Sequence, residues 1–473
     1  MTGIASYGAY VPMTRLPLAL IGGRPAKEGG PEKAVADYDE DAVTMAVEAA
    51  RSCLRGFDAS VVDGLFFAST SYPLHEKQAA ATIAKALSLR RDVSTADHAG
   101  SLRAGTSAFE AGLHAVAAGA MRSVLVVASD CRMGAPRGPL EAKLGDGAVA
   151  FLLSNRHPIA EVVASHAVAN ELQDFWRADG EDFTHGWEDR FILQEGYAPN
   201  VEEAIRGLFQ KSGRAAADFS RAAIHAPDAR SLGGVARGLG LAPEQIVDPL
   251  IGRLGNNGAA YALTLLASAL ESAKPGDSLL VASYGDGAHA FVLDVGDGIE
   301  KLEPRRGVRW HLERRRPLRS YDSYLRARRL EPSEWETSAD LGLSATVRFR
   351  ERDADISFQG AKCRACGQIH FPKQRVCIRC FEKDAWDPYP LSEKRGVVLS
   401  YTFDYFFPAS EPPTVVTVTE VEGCRIQVQL TNARPDDVAL DMPVEYVFRK
   451  IHDAGGKPNY FWKASPLAAA RED

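Results

Sequence analysis

Over roughly the first 295 residues, short apolar runs alternate with longer Ala-rich segments whose apolar positions recur at helical spacing. The runs at 64–68, 123–129, 148–154, 222–225, 278–283 and 290–295 read as strands. The segments at 41–55, 76–87, 106–120, 201–211 and 259–273 read as helices. Strands that are apolar throughout, instead of alternating, belong to sheets covered on both faces. The rhythm therefore predicts an α/β fold with buried sheets.

The same order of features occurs twice. Gly100-Ser-Leu-Arg-Ala-Gly-Thr-Ser-Ala opens a small-residue helix, which leads to the run 123–129 and then to Gly145-Asp-Gly-Ala-Val-Ala-Phe. Gly255-Asn-Asn-Gly-Ala-Ala opens a second such helix, which leads to 278–283 and then to Gly285-Asp-Gly-Ala-His-Ala-Phe. This predicts a duplicated unit, with halves at 1–157 and 158–297. Both helices are apolar nearly all round, so each is expected between two sheets.

Beyond residue 297 the texture changes. A basic segment at 298–355 carries ten arginines between Arg305 and Arg329, with Tyr321 and Tyr324 among them. It reads as a linker helix whose arginines pair with nearby acids, with phosphate binding as the sharper reading. Cys363-Arg-Ala-Cys366 and Cys377-Ile-Arg-Cys380 follow, within 356–384. Two residues between thiolates let both sulfurs face one ion, and four thiolates close a tetrahedral zinc site with no position left for catalysis. Structural Zn2+ is the expected cofactor. His370 lies between the knuckles and is not needed as a ligand. In the tail, 385–473, apolar and polar residues alternate at 397–407, 414–421, 425–430 and 444–450, as in half-buried strands. These lengths suit a small five-stranded barrel of the OB-fold kind.

Composition changes this picture little. With 45% apolar and 25% charged residues in 473, the chain is an ordinary globular one, and too long for a single core. A net charge of -7 gives no general reason to expect nucleic-acid binding. No apolar run is long enough to span a bilayer, and the first residues lack the basic and apolar regions of a signal peptide. A cytoplasmic protein without membrane or nucleic-acid partners is expected.

Several segments resemble hydroxymethylglutaryl-CoA (HMG-CoA) synthases of the archaeal type, in the thiolase superfamily. They are Gly3-Ile-Ala-Ser-Tyr-Gly-Ala-Tyr-Val-Pro12, Asp174-Phe-Trp-Arg177, Ala222-Ala-Ile-His-Ala-Pro227, Gly255-Asn256 and Ser283-Tyr-Gly-Asp-Gly287. The tail resembles the rubredoxin-like zinc-ribbon and OB-fold modules that associate with such enzymes. The resemblance implies a five-layered thiolase fold (duplicated αβαβα), then a zinc ribbon and an all-β OB-fold barrel. It also implies coenzyme A as part of the substrate, an acyl-CoA or 3-hydroxyacyl-CoA ligand, a homodimer or larger homo-oligomer, and a possible thiolase-family partner.

The family's chemistry needs a nucleophilic cysteine, a histidine and a glutamate. Aligned on Ala104-Gly-Thr106, the cysteine position holds Leu102, with Ser101 beside it; Thr70 stands at the glutamate position. His225 and Asn256 match the family, and Asp286 replaces a serine in the loop after Tyr284. Leucine cannot carry an acyl group. The expected activity is a non-covalent aldol or retro-aldol reaction, with His225 and Asn256 holding the enolate oxygen. Asp286, Asp97, His98 and Tyr284 are the candidate bases. Asp286 also suits a turn, and Asn256 a helix cap. Ser101 is a substitute nucleophile in an acyltransferase reading; Cys131 reads as a packing residue. A catalytically silent homologue that binds CoA esters or scaffolds a partner is the remaining alternative.

Overall fold

The structure is a computed structural model that describes residues 2–331, 344–407 and 409–467. Residues 332–343 of the expected linker and the end of the tail lie outside the described residues. The chain forms two compact units. The first comprises Met1–Ala36, Asp41–Ala84 and Leu89–Tyr321; the second comprises Asp37–Glu40, Lys85–Ser88 and Asp322–Asp473.

The first unit is built on a sheet of nine strands. They are β1 (Gly3–Tyr10), β2 (Gly64–Ala68), β3 (Ser94–His98), β4 (Ser123–Asp130), β5 (Gly147–Ser154), β6 (Ala160–Ala169), β7 (Arg221–Ile224), β8 (Ser278–Tyr284) and β9 (Gly287–Val295). Their order is β7-β8-β9-β6-β1-β5-β4-β2-β3. The duplication is visible in the pairing. β2 lies parallel to β4 and β4 antiparallel to β5, just as β7 lies parallel to β8 and β8 antiparallel to β9. Within the sheet the two halves meet where Gly3 and Ile4 of β1 pair with Glu161 and Ala160 of β6.

Six helices cover these strands: α1 (Ala42–Cys53), α2 (Ala79–Ala86), α3 (Ala104–Ala117), α4 (Ala198–Ser212), α5 (Ala229–Leu239) and α6 (Tyr261–Leu270). α1 packs on β1, β4 and β5, and α4 on β6, β8 and β9, with α5 against α4. The two small-residue helices lie together inside. α3 touches β2, β4 and β5, while α6 touches β7 and β8 as well as β1 and β5. Helix, sheet, helices, sheet, helices make five layers, as the apolar character of α3 and α6 predicts. At the centre Phe109 of α3 meets Phe151 of β5 and Phe291 of β9 edge-on, at 5.7 and 5.6 Å.

The basic segment is less solvated than its charge suggests. Arg305 donates to the carbonyls of Tyr7 (3.3 Å) and Cys53 (3.4 Å), and Arg315 pairs with Glu32 at 3.0 Å. Here it forms short helices at Val308–Glu313 and Tyr321–Ala327.

In the second unit, β10 (Gln359–Cys363), β11 (Ile369–His370) and β12 (Trp386–Pro390) form the ribbon sheet. A closed barrel follows, made of β13 (Arg395–Asp404), β14 (Thr414–Val421), β15 (Cys424–Leu430), β16 (Pro443–Ala454) and β17 (Lys457–Pro466) in the order β13-β14-β15-β17-β16. Alternate residues of β14 and β15 are buried, which is the period of the sequence pattern. Phe358 stacks on Trp462 at 5.7 Å, and the Trp462 indole donates to the Ile356 carbonyl at 3.0 Å. The unit also buries a cationic pair on acids. Arg449, fully buried, meets Glu40 at 3.1 Å, and Lys463 meets Asp39 at 2.9 Å.

Candidate active site and metal centre

The strands of the first unit end around an enclosed cavity of about 70 Å³. Leu102, Leu140, Leu144, Phe175, Ile192 and Leu193 make much of its wall apolar, and Arg132, Tyr197, His225, Asn256 and Tyr284 are among its polar lining groups. His225 directly follows β7, Arg132 lies just past β4, and Tyr284 ends β8. Asn256 belongs to the glycine-rich loop before α6. That loop is zipped to its counterpart in the first half: the Asn256 amide donates to the Lys143 carbonyl (2.9 Å) and the Gly145 amide to the Asn256 carbonyl (3.1 Å).

The Asn256 side chain has a determined orientation. Its Oδ1 accepts from Arg132 Nη2 (3.1 Å) and from the Gly258 amide (2.9 Å), which leaves Nδ2 facing His225 Nε2 at 3.3 Å. His225 is held by its amide, which donates to Ala282 (2.8 Å), and by Tyr197, whose hydroxyl donates to the His225 carbonyl (2.7 Å). Tyr261 and Tyr284 meet the imidazole edge-on at 5.1 and 5.9 Å. Burial, reinforced by the Arg132 charge, brings the His225 pKa down to about 3. The imidazole is therefore neutral at physiological pH.

Arg132 is itself buried; its Nε has no hydrogen-bond partner among the described residues, and burial lowers its pKa. Asp130 contributes an opposing charge. Its carboxylate is fully engaged: Oδ1 accepts from Ser69 Oγ (2.9 Å), the Thr70 amide (2.7 Å) and Ser71 Oγ (2.8 Å), and Oδ2 from Thr70 Oγ1 (2.9 Å) and the Ala259 amide (2.7 Å). Gly258 lies against this carboxylate with φ +61°; a Cβ there would fall 2.1 Å from Asp130 Oδ2.

The other sequence candidates lie as follows. Leu102 lines the cavity wall. Ser101 is outside it, its Oγ accepting from the Arg103 amide at 3.2 Å before α3. Asp286 sits exposed at φ +47° in the tight turn between β8 and β9, away from the cavity lining. Asp97 accepts from the Ala79 and Ala80 amides (2.7 and 2.9 Å), so it caps α2. His98 packs against Phe66 at 5.7 Å. The Cys131 amide donates to Ser71 Oγ at 2.9 Å.

Two residues escaped the sequence reading of the site. Arg132 follows Cys131 with no motif to mark it. Asp174 belongs to the Asp-Phe-Trp-Arg motif, which carries the resemblance without assigning the aspartate a role. Its Oδ1 accepts from the Phe175 amide (2.6 Å); Oδ2 is buried without a hydrogen-bond partner among the described residues. Burial raises the Asp174 pKa, and the facing Tyr284 hydroxyl works against that rise. Tyr284 is pushed up by burial and by Asp174. Arg177 of the same motif donates to the Thr70 carbonyl at 2.7 Å.

In the second unit the four sulfurs of Cys363, Cys366, Cys377 and Cys380 all lie within 4.8 Å of one another. Cys363 and Cys380 are 3.7 Å apart and Cys366 and Cys377 3.6 Å apart. Four thiolates about 2.3 Å from one tetrahedral ion would be spaced by about 3.8 Å. The cluster therefore fits a metal ion. At Cys377 burial disfavours the thiolate, but the amides of Cys380 and Arg379 and the His370 ring outweigh it and lower the thiol pKa to about 6. His370 Nε2 lies 3.5 Å from that sulfur and its ring packs edge-on against Trp386, so it supports the cluster from outside.

Comparison with known proteins agrees with this architecture. Residues 353–385 match the ChsH2 rubredoxin-like zinc ribbon domain and 389–449 the ChsH2 C-terminal OB-fold domain. Residues 209–293 match the C-terminal domain of 3-oxoacyl-[acyl-carrier-protein] synthase III. The hydroxymethylglutaryl-CoA synthase of Archaeoglobus fulgidus is 34% identical over 343 residues, 70% of this chain and 99% of that protein. That of Pyrococcus horikoshii is 34% identical over 340 residues, 69% of this chain and 96% of that protein. Among solved structures, MvaS in complex with 3-hydroxy-3-methylglutaryl coenzyme A has the same fold at 23% identity. The TM-score is 0.61, over 70% of this chain and 92% of that one. An HMG-CoA synthase complexed with CoA matches at 18% identity and TM-score 0.63, over 72% and 94%. No helix among the described residues is long and apolar enough to cross a membrane.

Proposed function

Because the chain belongs to the hydroxymethylglutaryl-CoA synthase family, we propose that it makes or breaks the carbon–carbon bond beside the carbonyl of an acyl-CoA thioester, without an acyl-enzyme. The observation that carries this reading is the convergence of His225 Nε2 and Asn256 Nδ2, 3.3 Å apart, on a cavity that Leu102 also lines. Leu102 stands where the family's cysteine aligns, so no thiolate is available at the start of α3. What remains is a preorganised electrostatic site. Asn256 Nδ2 is a fixed donor, His225 is neutral, and Arg132 places a buried positive charge behind both. Such groups stabilise the enolate oxygen that forms when a bond next to a thioester is broken or made. Aldol and retro-aldol chemistry on a 3-hydroxyacyl-CoA needs this, a base, and no covalent intermediate.

Ser101 is not favoured as a substitute nucleophile, because it lies off the cavity lining and its Oγ accepts from the Arg103 amide. Zinc in the four-cysteine cluster is a structural ion in this proposal, since four thiolates leave it no open position. A homodimer or larger assembly belongs to the same reading.

The test is mass spectrometry of acyl-CoA and 3-hydroxyacyl-CoA esters incubated with the zinc-loaded protein, with the intact protein mass read alongside. Cleavage to a shorter acyl-CoA and a carbonyl product, with the protein mass unchanged, is expected. An acylated protein would refute the non-covalent route. An unchanged pool of esters would transfer the case to a silent binding protein.

A further inference from the structure

The enolate site needs a base, and the acids around it are mostly committed elsewhere. Thr70, at the family's glutamate position, gives its hydroxyl to Asp130. Asp130 is occupied by its five donors. Asp97 caps α2, Asp189 pairs with Lys143 at 2.5 Å, and Asp228 accepts from the Ser231 amide and hydroxyl at 2.8 and 2.7 Å. Asp174 differs. It is 6% exposed, and its Oδ2 is buried with no hydrogen-bond partner among the described residues. The Tyr284 hydroxyl faces its carboxyl, and Tyr284 lines the cavity beside His225. The Tyr284 hydroxyl fits only because residue 196 is glycine: a Cβ there would lie 2.2 Å from the phenol oxygen.

We propose that Tyr284 and Asp174 are the proton-transfer pair of this site, with the Tyr284 oxygen meeting the substrate and the Asp174 carboxylate behind it exchanging the proton. The proposal rests on the acyl-CoA reading above and deepens it. In the cleavage direction the Tyr284 oxygen takes the proton of the substrate's 3-hydroxyl while its own proton passes to Asp174. The C2–C3 bond breaks, C3 becomes a carbonyl carbon, and the electron pair moves through C2 to the thioester oxygen. The enolate then takes a proton at C2 from Tyr284 as Asp174 returns the one it held. Protons and electrons balance, and no oxidant or reductant is needed. Burial makes the Asp174 carboxylate a stronger base than a solvated one. Asp286 acts in the same sense and Arg132 in the opposite one, while the Tyr284 hydroxyl faces the carboxyl directly. Tyr284 is the catalytic residue of the pair; Asp174 acts through it.

The experiment follows deuterium entering C2 of acetyl-CoA in D2O, read by mass spectrometry on the full-length, zinc-loaded protein. This isolates the proton transfer from any aldol partner. The wild type is expected to exchange. Asp174→Asn is expected to lose exchange by about 100-fold or more, with acetyl-CoA affinity and zinc content unchanged. Asp174→Glu is expected to restore part of the rate with a shifted basic-limb pH profile, which a purely structural aspartate would not produce. Tyr284→Phe is expected to fall as far as Asp174→Asn, and it decides the matter if the asparagine variant does not fold. Wild-type exchange in either Asp174→Asn or Tyr284→Phe would overturn the pair while leaving the enolate site standing. A wild type that binds acetyl-CoA without exchange would overturn the functional reading itself, and the pair with it.

Discussion

Replacing His225 by glutamine tests the electrostatics of the site through stability alone. In the folded chain burial and Arg132 bring the imidazole pKa down to about 3, whereas an unfolded histidine titrates near about 6.5. The unfolded state therefore binds the proton first as pH falls. The neutral ring supports the fold fully above pH 6.5, and that support is lost as pH falls toward the folded value. Between pH 7 and pH 5 the loss is about 2 kcal/mol. This figure is insensitive to the folded pKa, because pH 5 lies well above it. Glutamine keeps a polar side chain and cannot titrate. Urea unfolding of wild type and His225→Gln at pH 7 and pH 5 gives the comparison; contributions from other groups, the buried His311 among them, cancel in the difference. The wild type should lose about 2 kcal/mol more than the variant over this interval. Equal losses would mean that the imidazole is charged or solvated in the folded state, and the neutral site would be refuted.

Gly258→Ala should destabilise the fold by more than about 1 kcal/mol, since φ is +61° and the added Cβ would fall 2.1 Å from Asp130 Oδ2; a thermal shift of either sign near zero would count against the packing described. Asp39→Asn should cost about 3–5 kcal/mol, because it leaves Lys463 and Arg449 buried beside a neutral group. Burial opposes the Asp39 charge, but Lys463 and Arg449 outweigh it and hold its pKa low, so this contribution is present at neutral pH and fades as pH falls below the ordinary carboxylate range. Equilibrium denaturation at pH 7 and pH 4 checks both the size and the sign. Chelation should remove one zinc ion per chain and lower the melting temperature, which metal analysis and calorimetry check together; Cys363→Ser should reproduce the loss.

Much of the architecture was legible because it rests on local and repeated signals. Continuous apolar runs such as Ser123–Asp130 mark strands covered on both faces, and helices apolar all round mark an inner layer. The paired Gly-Asp-Gly turns mark a duplication, and two Cys-x-x-Cys knuckles carry the ribbon. Alternation in Thr414–Val421 marks the barrel, because the side-chain period of a strand is visible in any one strand. Only the tertiary structure decides what each polar residue near the cavity is free to do. Asp286 and Asp97 have the chemistry of a base, yet one is exposed in a turn and the other bound to two helix amides. Asp174 has the same chemistry and a buried oxygen without a hydrogen-bond partner among the described residues, and Arg132 reaches Asn256 from 124 positions away. Burial and partners are set by residues distant in the chain; a carboxylate's desolvation depends on its neighbours in space, and the sequence places those neighbours only once the two halves have closed.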